Sequence, residues 1–188
     1  MRPAEEISVF SCHPALPGRA IPPEEWGSSS FLETLCRESK APFTLLYCKP
    51  ARTEWAYLGL ERLLQTARDT GAGMIYADHY RESGGTVRPF PCIDYQKGAL
   101  RDDFDFGHVL LFRTDLLRQA ADELRQEHYR HAALYALRLA ISRRAEILRV
   151  NEFLYTTTEL DLRSSGEKNF DYVAPRNQAV QLEMERAC

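Results

Sequence analysis

The chain has 188 residues, 44% apolar and 27% charged, with a net charge of −3 and a pI near 6.0. That length and apolar share fit one domain with a sizeable core. The mild acidity gives no global attraction to nucleic acid or to an anionic membrane, so nucleic-acid binding is set aside.

No segment approaches the roughly 18 consecutive apolar residues of a membrane span. The first twenty residues carry Glu5, Glu6 and His13 among prolines, which is not the pattern of a signal peptide. The five cysteines are scattered without a C-x-x-C pair, which fits reduced thiols in a cytoplasmic setting better than a disulfide frame or zinc site. Cys36, Cys48 and Cys92 read as small core residues.

Taken in chain order, Glu6 to Phe10 is a short candidate strand. Residues 1–27 are otherwise irregular, with Pro14, Pro17, Pro22 and Pro23 breaking regular structure. Ser28, Ser29 and Ser30 offer N-caps for a helix FLETLCRES with Phe31, Leu32, Leu35 and Cys36 on one face. Phe43 to Tyr47 (FTLLY) is a continuous apolar strand of the doubly covered kind. Thr53 is expected to cap a long helix, EWAYLGLERLLQTARDTG, that ends at Gly71.

Gly73 to Ala77 is the next strand. A hairpin through Ser83-Gly84-Gly85 reaches Ile93, and Gly107 to Phe112 forms a further strand. Helices are expected at Asp115 to Leu124 and Tyr129 to Ser142, then a strand at Glu146 to Val150 that runs on into NEFLYT. Residues 156–170 read as a polar mobile loop and 174–187 as a terminal helix. The whole is a mixed-sheet α/β domain spanning 1–188.

In open α/β sheets ligands bind outside the carboxyl ends of the strands. Asp78 lies at such an end, although an Asx-type turn role explains it equally well. An acidic stretch follows, with Asp94, Asp102, Asp103 and Asp105. These are candidates for sugar-hydroxyl recognition or metal binding, against the plainer reading of a solvated acidic loop. His79 and Tyr80 are candidates for a sugar pocket or for hairpin surface, and His108 reads as a core histidine before it reads as a base. Lys49 and Arg163 are candidate phosphate contacts, or solvated cations. There is no G-x-x-x-x-G-K-[ST], G-x-G-x-x-G, H-E-x-x-H or G-x-S-x-G motif.

Several of these pieces together resemble the family 2 glycosyltransferases. They are Tyr76-Ala77-Asp78, Gly84-Gly85, the acids from Asp102 to Asp105, the strand Val109 to Arg113, Leu137-Arg138-Leu139 and Asn151-Glu152-Phe153-Leu154-Tyr155. The resemblance covers about Ser28 to Thr156. It implies a GT-A (nucleotide-diphospho-sugar transferase) fold with a shortened N-terminal half, because only 42 residues precede FTLLY. It further implies a nucleotide-sugar donor, a glycan or lipid-linked acceptor, and a place in the cytoplasm or at the inner membrane face. On this resemblance Asp102, Asp103 and Asp105 are the catalytic candidates. Asp78, His79, Tyr80, Lys49 and Arg163 face the donor, and Asp78 is the ligand for Mn²⁺ or Mg²⁺. Two departures stand out. Cys48-Lys49-Pro50 replaces the family's metal-binding D-x-D, and Ala133-Leu134-Tyr135-Ala136 lacks the usual acidic base. The alternative is a catalytically inactive binding or scaffold domain on the same fold.

Overall fold

In the computed structural model, residues 6–98, 104–159 and 175–188 are described. β1 (Ile7–Ser11), β2 (Arg19–Ala20), β3 (Phe43–Tyr47), β4 (Ala51–Trp55), β5 (Met74–Ser83), β6 (Thr86–Phe90), β7 (Val109–Arg113) and β8 (Ile147–Glu159) form one mixed sheet. The order is β2-β1-β3-β7-β5-β8-β4, with β6 also beside β5. The helices are α1 (Ser29–Glu38), α2 (Gly59–Thr70), α3 (Thr114–Glu123), α4 (Ala133–Arg144) and α5 (Pro175–Ala187). The α/β mixed-sheet expectation therefore holds.

β3 is buried at all five positions, as its mostly apolar sequence leads one to expect, and its one small polar residue, Thr44, shares a hydrogen bond with the Thr114 hydroxyl at 2.9 Å. It runs parallel to β1 and antiparallel to β7, and β7 runs antiparallel to the start of β5. β3 and β5 thus point the same way, and their carboxyl ends share one edge of the sheet. α2 packs on β5, β7 and β8 through Leu63, Leu64 and Ala67, while α1, α3 and α4 pack on one another.

β5 changes partners along its length. Met74 and Ile75 pair with β7, and His79 to Ser83 pair with β6. On its other side β8 keeps pace only by bulging. Val150 faces Ala77, Phe153 faces Asp78 and Tyr155 faces His79, so Asn151, Glu152 and Leu154 fall outside the register. Residues 76–79 are where the sheet hands over from one set of strands to the next.

Several expected boundaries differ. The helix expected from Thr53 starts only at Gly59, because Ala51 to Trp55 pair as β4 with Glu159 to Tyr155. Gly59 marks the turn: a Cβ there would lie 2.3 Å from the carbonyl oxygen of Leu154. The strand expected to end at Ala77 continues to Ser83. Residues 156–159, expected in the mobile loop, belong to β8, and the rest of that loop lies outside the described residues. Ser28 supplies the cap of α1, its Oγ accepting from the Phe31 N–H. Among the described residues no helix is long and apolar enough to cross a membrane.

Candidate functional site

At the carboxyl edge a cleft of about 340 Å³ opens between the end of β3, the segment before β7, and α4. Cys48 and Lys49 line one side, Phe104 to Gly107 another, and Leu134 and Arg138 a third. Two larger hollows lie elsewhere, of about 530 Å³ beside Lys40 and Arg118 and about 440 Å³ beside Lys97 and Arg143. Their arginines are committed: Arg68 to Glu6, Arg113 to Asp115, Arg118 to the Ser39 carbonyl, and Arg143 and Arg144 to Glu123. The carboxyl-edge cleft is the better candidate because it lies where an α/β sheet presents ligands.

Lys49 follows β3 directly and donates from Nζ to Asp105 Oδ1 at 2.8 Å. Arg81 approaches the other oxygen of Asp105 at 3.3 Å, and the Gly107 N–H donates to Oδ1 at 2.8 Å. Burial raises the pKa of Asp105, but Lys49, the Gly107 N–H and Arg81 outweigh it and hold the carboxyl below its ordinary range. Arg81 also lies 3.4 Å from the centre of the Phe90 ring, and Arg138 sits 5.2 Å from the centre of Phe106. Phe106 in turn packs on Phe104 and Tyr76. The cleft lining thus holds two cations, Lys49 and Arg138, the second set against an aromatic ring. Cys48 beside it is an unreactive thiol, pushed up to about 12 by burial.

Behind this rim lies a buried aromatic cluster. His79 stacks on Tyr155 at 5.0 Å and meets His108 edge-on at 5.1 Å. Burial lowers the pKa of His79 to about 4, with Arg81 adding to the shift, and that of His108 to about 3, with Lys49 adding. Both rings are neutral at ordinary pH, and the Nδ1 of each is buried with no hydrogen-bond partner among the described residues. The Tyr155 hydroxyl accepts from the His108 N–H at 3.0 Å. Gly107, at φ +83°, makes room for this arrangement, since a Cβ there would lie 2.7 Å from that hydroxyl.

Asp78 is not in the cleft. It is 1% exposed, and the Arg149 guanidinium grips it through Nε–Oδ1 at 2.7 Å and NH2–Oδ2 at 2.6 Å. The Cys92 N–H donates to Oδ1 at 2.8 Å. Both oxygens are spent on holding β5 to β8 and to the segment after β6. A hard divalent cation needs several oxygen ligands. Among the described residues no three His, Cys, Asp or Glu side chains converge to hold one, and Asp78 does not fit as a metal ligand in this arrangement.

Of the sequence-derived candidates, Lys49 and Asp105 come together at the cleft, with His79 buried behind them. Tyr80 instead stacks on Phe153 at 4.6 Å on the extended part of β5. Asp102, Asp103 and Arg163 lie outside the described residues. Sequence reasoning missed Arg149, Arg81 and the cleft role of Arg138. Arg149 carried a signal, since a cation inside the apolar strand EILRV requires a buried counter-charge. The chain matches no protein-family model, and no curated protein is significantly similar to it in sequence.

Proposed function

We propose that this is a glycosyltransferase-like domain that binds the diphosphate of a nucleotide sugar through cationic side chains. The observation that carries the reading is Lys49. It follows β3 directly, at the position where the resemblance puts a metal-binding D-x-D, and it lines the same cleft as Arg138. Fixed cations neutralise a diphosphate without a metal, arginine through its planar fork and lysine as a point charge. Phe104 and Phe106 supply apolar faces of the kind a sugar or base ring packs against.

Transfer to an acceptor hydroxyl also needs a proton acceptor. The place of Asp105 in the cleft favours a transferase reading in which it takes that proton. Its lowered pKa weighs against this, because such a carboxylate is a weak base near neutral pH. A binding domain on a transferase-type fold is therefore the reading we favour.

The test is a thermal-shift panel of UDP-, GDP- and dTDP-sugars, each with and without Mn²⁺. A ligand at about 100 times its dissociation constant adds roughly 2.7 kcal/mol to the native state. The expected result is a metal-independent shift with one nucleotide, lost in Lys49→Ala. Absence of any shift, or a shift only with Mn²⁺, overturns the proposal. Glycosyl product formed from the bound donor would establish transfer in place of binding alone.

A further inference from the structure

In the C-terminal helix α5 no residue from Gln178 to Cys188 is buried. Apolar burial therefore holds it only weakly. Among the described residues its firmest attachment is one carboxylate. The N–H groups of Arg130, His131 and Ala132 all donate to Oε1 of Glu183, at 2.7, 2.8 and 3.0 Å.

These three donors lead into α4, whose N-cap, Ala132, has no side-chain acceptor to offer. Helix starts leave backbone donors orphaned, and their dipole favours an anion. From a different helix, Glu183 takes the outermost of these donors, the Ala132 N–H, with the two N–H groups before it, and sets its charge at the amino end of α4, while the Ala133 N–H goes to the Gly27 carbonyl. Among the described residues the other contacts are single or longer: Arg186 donates to the His128 carbonyl at 3.3 Å and lies 5.9 Å from the centre of the Tyr129 ring, the Tyr135 hydroxyl donates to Cys188 Sγ at 3.5 Å, and Met184 and Ala187 rest against the core.

We propose that α5 is a detachable latch keyed by Glu183. That one side chain holds the helix over the amino end of α4, and its loss frees α5 while the α/β core stays folded. The position gives the latch a consequence, because Leu134 in the first turn of α4 also lines the carboxyl-edge cleft. Release of α5 uncovers the amino end of a helix that forms one wall of that cleft. The inference does not depend on what the cleft binds.

The test is amide hydrogen exchange on the full chain, comparing wild type with Glu183→Ala and Arg186→Ala. Three hydrogen bonds to a charged acceptor predict that Glu183→Ala speeds exchange across α5 by about tenfold or more. The amides of β3, β5 and β7 should exchange as in wild type, and Arg186→Ala should have a smaller effect on α5. Unchanged protection of α5 in Glu183→Ala overturns the proposal, as does an equal effect from Arg186→Ala, which would mean diffuse attachment. Loss of core protection or failure to fold in Glu183→Ala overturns it too, since α5 would then be an integral part of the fold.

Discussion

Replacing Asp78 with asparagine separates a structural role for this carboxylate from a metal-binding one. The side chain is 1% exposed, and its partner Arg149 is 13% exposed, so the carboxylate cannot turn to bulk water and the guanidinium reaches it only at its edge. Asparagine keeps an oxygen for the Cys92 N–H but brings an amide toward the guanidinium and leaves a positive charge without its counter-ion. Breaking one side of a buried ion pair costs about 3–5 kcal/mol. Because Arg149 retains some exposure and a second contact to Asp94 at 3.1 Å, the lower end applies, at about 3 kcal/mol. For a chain of this size that corresponds to a fall in Tm of roughly 6–12 °C. The assay is urea unfolding in metal-free buffer for Asp78→Asn, Arg149→Met and the double variant. The double variant should be less destabilised than the sum of the two by at least roughly 1.5 kcal/mol, because the unpaired charge is gone. If Asp78→Asn unfolds within about 0.5 kcal/mol of wild type, the change behaves like a neutral surface substitution and the structural account fails.

Two further predictions concern the cluster behind the cleft. Gly107→Ala places a methyl group 2.7 Å from the Tyr155 hydroxyl at a φ of +83°, so it should cost more than about 1 kcal/mol, read as a lowered Tm. The pH dependence follows from His79 and His108, whose native pKa values are lowered to about 4 and about 3 from the ordinary 6.5. Between those values and 6.5 the unfolded chain binds the protons and the native state does not, so stability is full above 6.5 and falls as pH drops. Each histidine contributes a slope of about 1.4 kcal/mol per pH unit. Urea midpoints measured from pH 7.5 to 4.5 should decline in wild type and decline less in His79→Phe. Equal slopes in the two proteins would mean that His79 is not held neutral by the fold.

The sequence disclosed the elements whose burial is complete along their length. FTLLY and VLLF read as strands because they are short runs of apolar residues broken only by the β-branched Thr44, and the caps at Ser28 and Gly71 follow from local chemistry. It misplaced the start of α2 because Trp55 shares a helical period with Leu58 to Leu64. The pairing of Ala51 to Trp55 with the far end of β8 is a contact about a hundred residues away, and local pattern cannot see it. The same limit governs the site. Lys49 and Asp105 were visible as charges near strand ends, but only the fold brings them within 2.8 Å. Asp78 had the right type and position for a ligand, and what removes it from the cleft is Arg149, 71 residues later.

That removal follows from how the sheet is built. Between Ile75 and His79 the outer edge of β5 has neither β7 nor β6 beside it, so side chains do the work of a neighbouring strand. The Asp78 carboxylate takes the Cys92 N–H, and the Tyr76 hydroxyl donates to the Ile93 carbonyl while accepting from the Tyr95 N–H. Buried backbone groups must find partners, and here these two side chains supply them. An aspartate in that position answers first to the sheet. On the other edge, the bulge in β8 lets Arg149 reach back to Asp78 and brings Tyr155 against His79. The acid most suited to a metal is thus neutralised inside the fold. The acid that does reach the cleft, Asp105, arrives with Lys49 and Arg81 already on it, and Lys49 and Asp105 stay half-exposed. An exposed ion pair of this kind is worth only about 0–1 kcal/mol, so a multiply charged anion can compete with Asp105 for its cations at little cost to the fold.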